Sequence, residues 1–103
     1  MDSSPLEIVI VRKIVEKINA LPRCRAEKLH GGPMSGAQKL DLMCCVEGRF
    51  LYLEVKRPGG KPTARQESTM RLWRATGARV ECVTSADEAL DIVRQLRDTG
   101  DAG

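Results

Sequence analysis

Two carboxylates and an ammonium stand close together in one stretch of this chain, and their spacing suits phosphate chemistry. The stretch runs from Asp41 to Lys56. Strand-forming side chains flank Glu47-Gly48 on both sides. Two such runs around an X-Gly junction predict a β-hairpin. With Glu47-Gly48 as the loop, Val46 faces Arg49, Cys45 meets Phe50, Cys44 meets Leu51, Met43 meets Tyr52 and Leu42 meets Leu53. The next pair is Asp41 with Glu54. Directly opposed residues share a face, with Cβ atoms about 4.5–5.5 Å apart. Lys56 is two residues beyond Glu54 and projects from that face too.

Opposed like charges destabilise a sheet. Lys56 compensates in part for Asp41 against Glu54. A hard divalent cation does so better, because Mg²⁺ takes one or two carboxylates together with water and phosphate oxygens. The competing reading is a solvated ion-pair cluster at a strand end, which is common in proteins. The metal reading also depends on register. A slip of one residue would send Asp41 and Glu54 to opposite faces.

The elements that must position this cluster can be read in order. Ser4, Pro5 and Glu7 form a capping box opening a helix that runs to about Leu21, before Pro22. Ile10, Val11, Ile14, Val15, Ile18 and Leu21 make its apolar face. Glu7 falls within that face. It has two candidate roles, the cap or a third carboxylate reaching the hairpin. Residues 23–30 read as a polar first strand, at an edge or lining a groove. Lys28 and His30 there are candidate phosphate contacts, against plain solvation of an edge. Residues 31–38 are a Gly-rich loop that matches no phosphate-cradling motif.

The hairpin occupies residues 39–57. Leu51, Leu53 and Val55 share the face expected to pack on helices. Phe50, Tyr52, Glu54 and Lys56 share the other. A turn at 58–62 leads to a second capping box, Thr63 with Gln66, and a helix ending before Gly77. Gln66 either caps that helix or reaches from its start into the site. Lys61 and Arg65 beside the helix N-terminus make a candidate phosphate site. Trp73 reads as a core anchor, with base stacking as its other role. Residues 79–84 form a fourth strand. Ser85 and Glu88 form a third capping box, opening a helix with Ala86, Ala89, Leu90, Val93 and Leu96 inward.

Composition sets the class. One hundred and three residues make one domain with a modest core. With aromatics at 3%, that core must be aliphatic. A net charge of +3 permits a polyanionic partner. The four cysteines form no C-x-x-C pair and the chain has one histidine, so a zinc site is not expected. Reduced thiols in an intracellular protein are expected instead. Arg12, Lys13, Glu16 and Lys17 break the first apolar run, so neither a signal peptide nor a membrane span is expected.

The order α-β-β-β-α-β-α predicts an α/β fold with a mixed sheet flanked by helices, the strand–helix–strand from Phe50 to Thr84 forming a parallel crossover. An Asp, a hairpin and then Glu-x-Lys in this order resemble the PD-(D/E)xK nuclease superfamily, which has a restriction-endonuclease-like core. More narrowly, the chain is similar to the VRR-NUC family, the virus-type replication-repair nucleases. The matching residues are Glu7, residues 28–32, Asp41-Leu42, Gly48-Arg49-Phe50, the run Glu54-Val55-Lys56-Arg57-Pro58-Gly59-Gly60-Lys61, Gln66 and Gly77. Where the family pattern often has Pro-Asp, this chain has Leu40-Asp41.

Length and tail composition lead to the expectation of a single domain over residues 1–98 with a frayed tail at 99–103. The resemblance implies that Asp41 and Glu54 hold Mg²⁺ or Mn²⁺, with the carbonyl of Val55 and the carboxylate of Glu7 as further ligands. Asp41, Glu54, Lys56 and Gln66 form the catalytic set, Lys56 orienting the attacking water and Gln66 positioning the site. Lys28, His30, Arg57, Lys61 and Arg65 are the expected DNA contacts. Small stand-alone members resemble homodimeric, structure-specific endonucleases cutting branched DNA such as Holliday junctions, in a virus- or phage-infected cell. The alternatives are a non-catalytic DNA-binding subunit on the same fold, or an interaction protein whose charge cluster is only an ion-pair patch.

Overall fold

The computed structural model describes residues 5–29 and 40–100. The elements follow the expected order: α1 (Pro5–Asn19), β1 (Cys24–Lys28), β2 (Leu42–Val46), β3 (Arg49–Val55), α2 (Ala64–Arg74), β4 (Arg79–Val83) and α3 (Ala86–Gly100). The Ser4 cap, His30 and the Gly-rich loop lie outside the described residues. The helix α3 runs to Gly100, into the segment read as a tail. Among the described residues, no helix is long and apolar enough to cross a membrane.

The sheet has the strand order β1-β2-β3-β4. The first three strands are antiparallel, and β4 lies parallel to β3 after the α2 crossover. The hairpin register from Val46↔Arg49 to Leu42↔Leu53 is the expected one. Glu47 and Gly48 both have positive φ, 52° and 88°, as a tight two-residue hairpin turn requires. Glutamate resists that conformation. Here it is tied down: Arg97 Nε donates to Glu47 Oε2 at 2.8 Å, and the Glu47 N–H donates to the Arg23 carbonyl at 2.8 Å. These arginines, Arg97 first, hold the Glu47 carboxyl below its usual range.

Alternation along β3 divides the molecule into two layers. Leu51, Leu53 and Val55 enter a core built with Ile10, Ile14 and Ile18 of α1 and with Ala89, Ile92 and Val93 of α3. No aromatic side chain enters it, as the composition requires. Tyr52 faces the other way, into a smaller cluster with Leu40, Met70 and Val80 under α2.

Three elements are shorter or differently closed than expected, each for a local reason. The first strand starts at Cys24 rather than Arg23, because Arg23 is left-handed with φ 58°. The helix α1 stops at Asn19, short of Leu21. The Asn19 carboxamide accepts from Ala26 N at 2.7 Å and donates to Ala26 O at 3.2 Å, supplying the outer edge of β1 with the bonds of a missing strand. The fourth strand ends at Val83. Thr84 N–H goes to Glu88 Oε1 at 2.6 Å, so the third cap closes through Thr84 and not reciprocally through Ser85. On the β4 edge, the Arg74 guanidinium donates twice to Val80 O, at 3.0 and 2.7 Å. Side chains thus occupy backbone groups on both edges of the sheet, which blunts edge-to-edge pairing.

Candidate metal centre

Asp41 leaves the β2–β3 ladder one residue before the regular register would pair it with Glu54. Its N–H donates to Leu53 O at 3.1 Å, and its carbonyl accepts from Leu29 N at 2.9 Å. Its Oδ2 accepts from Val55 N at 2.8 Å, a donor that regular pairing would direct to the backbone of residue 40. The direct cross-strand pair expected from the sequence is therefore replaced by a side chain clamped onto the β3 backbone. The Asp41 carboxyl still interacts with Glu54.

Leu40 shows why this strand tolerates the absence of proline. Its N–H donates to the Tyr52 hydroxyl at 3.2 Å, and its side chain is buried in the smaller core. Proline has no N–H to give. Tyr52 is a site neighbour for which the sequence reading gives no role. The alternation of Phe50, Tyr52 and Glu54 was the signal that placed it on this face.

Glu54 is only 3% exposed. Its Oε2 accepts from Gln66 Nε2 at 2.7 Å and pairs with Lys56 Nζ at 3.4 Å. Its Oε1 is buried and meets no hydrogen-bond donor. Burial, then the Asp41 charge, raises the Glu54 carboxyl to about 8, with Lys56 opposing. Burial also raises Asp41, opposed first by the Val55 N–H. A buried carboxyl and a half-buried one that interact cannot both ionise cheaply. They keep a shared proton or take up a cation. Cys82 stands beside Glu54 in the parallel register, and burial, then the Glu54 charge, raises its thiol. Only the β3–β4 register reveals that neighbour.

Gln66 performs both candidate roles at once. Its Oε1 accepts from Thr63 N at 2.9 Å and its N–H donates to Thr63 Oγ1 at 3.1 Å, closing the capping box. Its amide nitrogen is left for Glu54. The α2 cap thus fixes the donor that fixes the carboxylate.

Glu7 reaches across from α1, its Oε2 accepting from Arg57 N at 3.1 Å. Its charge raises Asp41 slightly. Among the described residues, no three carboxylate, thiol or imidazole side chains converge to hold a metal ion. The Asp41–Glu54 pair with its donorless buried oxygen nevertheless fits a hard divalent cation, which completes its shell with water and phosphate oxygens.

Of the expected phosphate contacts, Arg57, Lys61 and Arg65 are exposed around the start of α2. Lys28 is also exposed but pairs with Leu42 and so shares the α1-facing side of the sheet, opposite Glu54. His30 lies outside the described residues. Trp73 is 40% exposed and is not a core anchor. It meets Phe50 and Tyr52, with ring centroids 5.5 and 5.3 Å away.

No family model matches the chain, and no curated protein matches it. A solved structure described as a "VRR_NUC domain" is similar to it with a TM-score of 0.68 and 27% identity, covering 92% of this chain and 97% of that one. That likeness spans nearly the whole of both chains. It supports placing the chain in the VRR-NUC family of the PD-(D/E)xK superfamily.

Proposed function

We propose that this protein is a divalent-metal-dependent deoxyribonuclease that hydrolyses phosphodiester bonds in branched DNA, with Holliday-junction-type structures as its substrates. The observation that carries the reading is the interaction of the buried Glu54 carboxyl with Asp41, with Lys56 beside Glu54 Oε2 and no protein N–H reaching Glu54 Oε1.

Asp41 and Glu54 would hold Mg²⁺ or Mn²⁺, with the Val55 carbonyl as a further oxygen and Glu7 adding negative charge from α1. When bound, such an ion lowers the pKa of a water and withdraws charge from phosphoryl oxygens. Lys56 orients the attacking water and adds positive charge where the transition state gains negative charge. Gln66 keeps Glu54 aimed. Arg57, Lys61 and Arg65 bind the backbone phosphates on either side. Lys28 contributes only to DNA that wraps past the end of the sheet.

A homodimer gives two cuts on one junction. With both sheet edges occupied by side chains, such a dimer would join through helix or loop faces. The four free cysteines support action inside a cell, and a virus- or phage-encoded protein acting in its host belongs to the same proposal.

The reading is tested by incubating a labelled four-way junction and a matched linear duplex with the protein, in Mn²⁺ and in EDTA. The expected result is cutting of the junction in Mn²⁺ alone. Junction binding without cutting in any metal would instead favour a DNA-binding subunit.

Gln66 gives a second test. Gln66→Glu keeps a side chain able to close the capping box but sets a third carboxylate against Glu54. If Gln66 serves the cap alone, Gln66→Glu cuts normally. We expect a loss of at least about tenfold, together with a lower unfolding midpoint at neutral pH from the repulsion of Glu54. Gln66→Ala is expected to lose about 1 kcal/mol of stability as well, measured by urea unfolding.

A further inference from the structure

The chain contains one Trp, one Tyr and one Phe, and all three meet on the face of the sheet that carries Glu54. Phe50 and Tyr52 alternate with Glu54 along β3, and their rings lie 5.6 Å apart. Trp73 of α2 closes the group. Tyr52 is buried, Phe50 half-buried and Trp73 the outermost. Beside them opens a cleft of about 570 Å³ whose lining includes Arg49, Phe50, Trp73, Gly77 and Arg79 and no carboxylate. Arg79 itself pairs with Glu81 and Gln95.

We propose that Trp73, backed by Phe50 and Tyr52, is a stacking platform for an unpaired base of branched DNA. The inference rests on the nuclease reading and names the feature of the substrate that the site recognises. Phe50 is four residues from Glu54, about 13 Å along a strand. That distance is within the reach of a few nucleotides of one strand. A base at Trp73 and a phosphate at Glu54 therefore belong to one short segment of a single strand. Aromatic faces bind bases of any sequence, and arginine beside them adds cation–π attraction and phosphate contact. A paired duplex hides its base faces, so the platform selects DNA that has come unstacked at a branch.

The other occupant to weigh is a second copy of the chain. A two-fold dimer would set this patch against itself. The cleft arginines Arg49 and Arg79 would then bring positive charge from both copies into one interface. A polyanion removes that conflict.

Trp73 emission reports this site alone. The experiment titrates metal-free protein in EDTA with a single-stranded oligothymidylate, with a blunt hairpin duplex of equal phosphate count, and with a junction carrying an unpaired base at the branch. The single strand and the junction are expected to quench Trp73, and the blunt duplex to quench it less. Trp73→Ala is expected to weaken single-strand binding about 5- to 150-fold and duplex binding less than about twofold. Trp73→Phe, which keeps a ring and controls for folding, is expected to retain most of the affinity. Equal single-strand affinity in Trp73→Ala and wild type would overturn the proposal. So would a change from dimer to monomer in Trp73→Ala by sedimentation, which would assign the face to self-association. Quenching without any cutting in Mn²⁺ would retain the platform and remove the nuclease. Cutting with no quenching would do the reverse.

Discussion

Lys56→Ala is expected to lower the rate of junction cleavage by about 100- to 1000-fold while junction affinity stays within a few-fold of wild type. The ammonium lies 3.4 Å from Glu54 Oε2 with its side chain only 17% exposed, so it acts where water screens it weakly. Two effects combine in the variant. The transition state loses a positive charge, and Glu54 loses the neighbour that opposes its raised pKa. They separate with pH. Raising the pH ionises the carboxylates and restores metal binding to Lys56→Ala, but it does not restore the missing ammonium. Single-turnover cleavage at saturating Mn²⁺, compared at pH 7 and pH 9, should therefore leave most of the defect in place. Full recovery at pH 9 would mean that Lys56 serves only to keep Glu54 charged.

The second large effect is on stability. The Glu54 carboxyl titrates near 8 in the folded, metal-free protein against 4.5 for an ordinary glutamate, and Asp41 is raised in the same direction. Between those values the folded protein holds a proton that the unfolded chain has released. Stability is therefore full below about pH 4.5 as far as this pair is concerned. It falls as the pH rises toward 8, with a slope approaching about 1.4 kcal/mol per pH unit. Saturating Mn²⁺ replaces the proton, so its stabilising effect should be greater at pH 8 than at pH 6. Glu54→Gln should remove the slope. At pH 8 without metal it should be more stable than wild type by about 1–3 kcal/mol, with cleavage abolished. Urea unfolding in EDTA at several pH values measures this. A flat profile for the wild type would show that the two carboxyls do not share a buried proton.

Much of the site was legible because a hairpin is a counting device. Once Glu47-Gly48 is the loop, period-two alternation places Phe50, Tyr52, Glu54 and Lys56 on one face, and the observed ladder agrees. The Thr63–Gln66 box was legible from spacing, and its double use follows from the amide having both an acceptor and a donor. What depended on partners distant in sequence was not legible. The departure of Asp41 from the ladder is set by Leu29, Leu53 and Val55 together. The side of the sheet that Lys28 takes follows from the β1–β2 register, which no short turn fixes. Cys82 reaches Glu54 only through a parallel pairing. Trp73 shares a helical face with Met70, but α2 is short, and only Thr69 and Met70 of its residues are buried.

The measurement that bears most directly on the account is calorimetric titration of Mn²⁺ into metal-free wild type and Glu54→Gln at pH 7, in two buffers of different ionisation enthalpy. Saturable binding to the wild type is expected, with release of about one proton per ion from the Asp41–Glu54 pair, and no binding to Glu54→Gln. Binding that Glu54→Gln retains, or the absence of binding to the wild type, would contradict the claim that this carboxylate pair is the metal centre.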